Sequence, residues 1–90
     1  MAKSVHQGLH YIIADLPDRE ELVAELWMDR ECWGEISKEK GEVVLELYPR
    51  RDGEPWRFPP EAVERLINIA RRDLVEGKPP REAKRVKPAG

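Results

Sequence analysis

Cysteine is nearly missing from this 90-residue chain: Cys32 stands alone, so no disulfide can close within the molecule. There is no run of 18 apolar residues, which argues against a membrane-spanning helix. The opening MAKSVHQGLH lacks the apolar stretch of a secretory signal, and together with the lone cysteine this leads to the expectation of a cytoplasmic protein. No glycine-rich phosphate loop, zinc-ligand spacing or nucleophile motif occurs, and no cofactor is expected. A dominant charge sign is also lacking. The 16 Lys and Arg against 18 Asp and Glu leave a net charge of −2, so no global field points to nucleic acid.

Charge itself is plentiful, at 38% of residues against about 25% in ordinary globular chains. The 40% hydrophobic content suffices for one modest core, which excludes a two-domain enzyme. The charges are unevenly placed. Residues 78–90 (KPPREAKRVKPAG) carry five basic residues and one acid, leaving an acidic body. With three prolines and only Val86 as a sizeable apolar residue, this tail cannot offset the entropy of ordering, and it is predicted to be disordered. Residues 1–8 are similarly poor in core formers and are expected to be flexible, which leaves one domain over 9–77.

The spacing predicts a helix over 60–76, because Val63, Leu66, Ile67, Ala70 and Leu74 recur at three- and four-residue steps on one face. Pro60 suits the first helical position, Gly77 the left-handed stop, and Phe58 stands where it could staple onto Val63. Residues 21–28 have the composition of a helix, but alternation places Leu22, Ala24, Leu26 and Met28 on one side of a strand. A three-residue loop at 29–31 would set Met28 opposite Cys32, Leu26 opposite Gly34 and Ala24 opposite Ile36. The other face would then pair Trp27 with Trp33 and Glu25 with Glu35. A four-residue loop, Lys38-Glu39-Lys40-Gly41, would pair Ile36 with Val43, Gly34 with Leu45 and Cys32 with Leu47. With a first strand near 9–16, the expectation is an α+β fold: a four-stranded antiparallel meander (9–16, 21–28, 32–37, 42–48) with one C-terminal helix on its apolar face.

LVAELW, WGEIS and GEVVLELYPRRDGEPWRF followed by a helix resemble an uncharacterised family of small bacterial proteins built as a β-meander plus C-terminal helix, over about residues 12–75. This resemblance implies the same fold and assigns no activity. In architecture the chain more distantly resembles bacterial toxin-immunity proteins, although a shared fold does not determine function.

Few residues suggest chemistry. His6 and His10 lack a third metal ligand at a recognisable spacing, and Cys32, on the expected core face, reads as an inert hydrophobe. The carboxylates sit on solvated faces without the contrasting burial an acid–base pair needs, so an enzyme is not expected. The outer sheet face is more informative, since Trp27, Trp33 and Tyr48 would stand among Glu25, Glu35 and Glu46. Such an acidic-aromatic surface suits a basic protein partner, as in an immunity or antitoxin protein, or a homodimer through the sheet face. The plainer reading is that residues 49–58, with Trp56 and Phe58, fold back over the Trp pair, or that the pair only steadies the hairpin. A nucleic-acid role would rest on Lys78, Arg81, Lys84, Arg85 and Lys87 of the tail.

Overall fold

The computed structural model describes residues 7–76. Their elements run β1 (Leu9–Ala14), β2 (Val23–Met28), β3 (Glu31–Glu39), β4 (Glu42–Leu47) and α1 (Pro60–Glu76). The strands form one antiparallel sheet in chain order, with the helix on one face, so the expected α+β meander is the observed fold. Residues 23–28 are strand despite their helix-forming composition. Pairing on both sides, to β1 and to β3, satisfies their backbone in a way a lone helix there would not.

The core lies between the sheet and the helix. Leu9, Ile13, Ala24, Leu26 and Ile36 meet Ala62, Leu66, Ala70 and Leu74, which recur every fourth residue along one stripe of α1. Full burial of a Leu or Ile side chain contributes about 1.5–3 kcal/mol, and Leu26, Ile36, Leu66 and Leu74 are all in that state. Tyr11, on the same face of β1, donates its hydroxyl to Asp73 of the helix. Burial, and then that carboxylate, hold the Tyr11 phenol well above its usual pKa. At the start of α1, the Pro59 carbonyl accepts from the Ala62 and Val63 amides at 3.1 and 3.2 Å.

Three expectations are corrected, two of register and one of burial. The β2–β3 turn uses two residues, Asp29 and Arg30, with Asp29 left-handed at φ 53°, so Met28 pairs with Glu31 and Trp27 with Cys32. The inner pairs Leu26–Gly34, Glu25–Glu35 and Ala24–Ile36 stand as expected. A turn one residue shorter with the same inner register leaves one residue over, and a β-bulge at Trp33 absorbs it. Trp33 therefore does not oppose Trp27, and Cys32 shares Trp27's outer face instead of lying in the core. The β3–β4 turn is also shorter, with Lys40 (φ 53°) and Gly41 (φ 83°) making a two-residue hairpin turn. Ile36 consequently pairs with Leu45 and Gly34 with Leu47, two residues away from the expected register but on the same face.

The third correction concerns β4. The helix leans over β1, β2 and β3, leaving Val43, Leu45 and Leu47 exposed at 41%, 43% and 64% where core positions were expected. The basic tail, with Lys78, Arg81, Lys84, Arg85 and Lys87, and the stop signal at Gly77 lie outside the described residues.

Candidate functional site

The sheet face away from the helix is built by alternation. Once Leu26, Ile36 and Leu45 face the helix, Glu25, Glu35 and Glu46 must face outward, and the register sets them directly opposite one another across β2, β3 and β4. Like charges directly opposed destabilise a sheet, so this row of three carboxylates costs stability unless something neutralises it.

One member is neutralised from within. Glu35 is only 5% exposed, and both its oxygens are engaged: Oε1 accepts from the Tyr48 hydroxyl at 2.9 Å, and Oε2 pairs with Arg19 Nη1 at 2.7 Å. Arg19 comes from the connection between β1 and β2, and its amide donates to the Leu16 carbonyl at 3.1 Å, which turns that connection back on itself. The Glu35 carboxylate raises the already high pKa of the Arg19 guanidinium. Burial, followed by the hydrogen bond to Glu35, keeps the Tyr48 phenol protonated far above its usual range. This corner of the site is thus a fixed Arg–Glu–Tyr cluster.

The two flanking carboxylates differ. Glu25 is half-buried and accepts from Trp27 Nε1 at 3.3 Å, while Glu46 is exposed with no ion-pair partner among the described residues. Trp27 is also half-buried, its ring stacked at 6.4 Å on His10 across the β1–β2 pair. Cys32 lies beside it with Sγ 3.3 Å from the Gly34 carbonyl, and burial pushes its thiol pKa up, so it is a poor nucleophile at neutral pH.

Trp33 is not part of this surface. It is 4% exposed and belongs to the helix-side core, with its ring 4.9 Å from Phe58, which in turn stacks on Trp56 at 5.5 Å. Residues 49–58 fold back as the plainer reading expects, but over Trp33 alone. Trp56 Nε1 donates to the Tyr48 carbonyl at 3.1 Å and fastens that segment. Phe58 thus covers Trp33, a contact that the expected staple onto Val63 did not include. Of the six residues expected to contact a partner, Trp27, Tyr48, Glu25 and Glu46 remain at the outer surface, Glu35 is enclosed beneath them, and Trp33 has left it.

Sequence reasoning missed two features. Arg19 sits in an irregular connection, where no periodicity marks which side chain turns inward. The second feature is a cleft of about 430 Å³ at the β2–β3 turn, with Arg30, Arg50, Arg51 and Arg57 around Trp56. Its arginines are scattered between residues 30 and 57, and Arg50 is already held, paired to Asp52 at 3.1 Å and lying over the Trp56 ring. Among the described residues no His, Cys, Asp and Glu group could hold a metal ion, and no helix is long and apolar enough to cross a membrane. The chain matches no protein-family model, no curated protein and no solved structure.

Proposed function

We propose that this chain is a non-enzymatic, cytoplasmic protein-interaction module that receives a basic segment of a protein partner on its outer sheet face. The observation that carries the reading is the row Glu25–Glu35–Glu46, three directly opposed carboxylates served, among the described residues, by one cation, Arg19. A partner's Lys or Arg beside Glu46 or Glu25, flanking the position held by Arg19, would relieve the repulsion that the isolated chain retains. Arg19 illustrates the fit, since a guanidinium already binds the middle of the row at 2.7 Å. Trp27 borders the row and offers a ring beside which a second cation can lie.

The test is a titration of the full chain with a synthetic arginine-rich peptide, followed by Trp fluorescence and calorimetry. Binding is expected to weaken steeply with salt. It should also weaken severalfold in Glu46→Gln, and more in Trp27→Ala, with the fold intact by circular dichroism. A peptide that fails to bind, or binds these variants as tightly as the parent, would overturn the reading.

A further inference from the structure

The exposed aliphatics of β4 are on the opposite face from the acidic row and lie on an open sheet edge. We propose that β4 pairs with β4 of a second copy of this chain, antiparallel, about a two-fold axis at Leu45, so that two four-stranded sheets become one of eight strands. This goes beyond the basic-partner reading and rests on a different surface.

The edge is prepared for pairing. The Tyr48 amide donates to the Trp33 carbonyl, and the β3–β4 register steps evenly from Glu39–Glu42 through Ser37–Val44 to Glu35–Glu46. In an antiparallel pair, alternate residues turn their amide and carbonyl toward the partner, so those of Glu42, Val44, Glu46 and Tyr48 face β3. The backbone groups of Val43, Leu45 and Leu47 therefore point outward along the sheet edge, with no backbone partner among the described residues. Natural edges are usually blunted by Lys, Pro, a bulge or a covering segment. Between Glu42 and Leu47 there is neither Lys nor Pro, the pairing with β3 is regular, and the helix leans away from this strand. Apart from Val75 of the helix, the large hydrophobic residues left exposed among those described are Val43, Leu45 and Leu47, all on this edge.

The side-chain pattern selects both the occupant and the register. A two-fold axis perpendicular to the sheet keeps the helix faces of both copies on one side, which requires residues of like parity to meet. Centred on Leu45, the pairing sets Leu45 against Leu45 and Val43 against Leu47 of the partner, one continuous aliphatic band. On the outer face Val44 meets Glu46 of the partner, so no carboxylate opposes another. Centring one residue earlier sets Glu42 against Glu46, and one residue later sets Glu46 against itself, both like-charge pairs. Only the register at Leu45 aligns all the outward amides and carbonyls of Val43, Leu45 and Leu47, giving about six inter-chain hydrogen bonds. The strand is complementary to itself in backbone, apolar band and charge, as a two-fold contact requires.

Sedimentation equilibrium of the full chain tests this. A strand-edge contact is at the small end of stable interfaces, so a dimer is expected at about 100 µM that dissociates toward about 1 µM. Leu45→Lys brings two ammonium groups together across the axis and should give a monomer throughout, with an unchanged circular dichroism spectrum because the site is exposed. Val43→Glu and Leu47→Lys should each weaken the dimer at least tenfold, whereas the two together should restore it, since the new charges face each other across the seam only in this register. A parent chain that is monomeric at about 100 µM, as it would be if the edge serves a foreign strand, overturns the proposal. So does a dimer that survives Leu45→Lys, or a double variant as dissociated as the single ones. The arginine-rich peptide should still bind the Leu45→Lys monomer, so the two surfaces can fail separately.

Discussion

Truncation of Trp33 should be among the most damaging single changes in this protein, although nothing about its position in the strand pattern marks it as core. The ring is 4% exposed, rests against Phe58, and shares one cluster with Leu26, Ile36 and Leu66. Removing a buried Trp side chain costs about 3–5 kcal/mol through lost contact and the cavity left behind. One penalty is relieved at the same time. Trp33 Nε1 is buried without an acceptor among the described residues, and an unsatisfied buried donor costs about 1–3 kcal/mol. Trp33→Ala should therefore fall near the lower bound, about 3 kcal/mol, a large part of the roughly 5–15 kcal/mol available to a small domain. Trp33→Phe keeps most of the ring and discards the donor, so its two effects nearly cancel and stability should stay within about 1 kcal/mol of the parent. Trp27→Ala, on the outer face, should cost less than about 1 kcal/mol. Urea unfolding followed by far-ultraviolet circular dichroism, with unchanged slopes, ranks the three variants. Equal and small costs for Trp33→Ala and Trp27→Ala would place both rings on the outer face and refute the bulge.

Two further outcomes follow from the same packing. Leu66→Ala, at the centre of the helix stripe, should cost about 2–5 kcal/mol, whereas Leu45→Ala measured on dilute monomer should cost less than about 1 kcal/mol, because the helix does not cover β4. Thermal melts should show the difference. Tyr11 and Tyr48 both titrate well above the usual phenol value, so the folded state holds their protons at pH values where the unfolded chain releases them. Their contribution is complete below about pH 10 and is lost as the pH rises beyond it, so stability should fall with alkali and fall less steeply in Tyr11→Phe. A slope unaffected by that substitution would remove Tyr11 from the account.

The fold class was legible because two periodicities are explicit in the chain: three- and four-residue steps from Val63 to Leu74, and a two-residue alternation carried through three consecutive strands. Alternation also set the outward direction of Glu25, Glu35 and Glu46, since any even register keeps them on one side. The candidate site was legible only to that extent. Turn length decides which residues meet near a turn, and both hairpin turns proved shorter than the composition suggested. The first turn shifted a residue into a bulge and turned Trp33 inward, while the second moved Leu45 two positions along β3.

By itself, then, the sequence determined which side chains share a face wherever a strand runs unbroken, because backbone geometry imposes that locally, but not at the bulge that exchanged the faces of Cys32 and Trp33. It could not determine which faces would be covered. The tilt of the helix away from β4, the return of Phe58 over Trp33 and the reach of Arg19 to Glu35 each join residues distant in the chain. Such contacts depend on how much apolar surface each arrangement buries and which carboxylate finds a cation. Only the assembled sheet and helix settle those quantities.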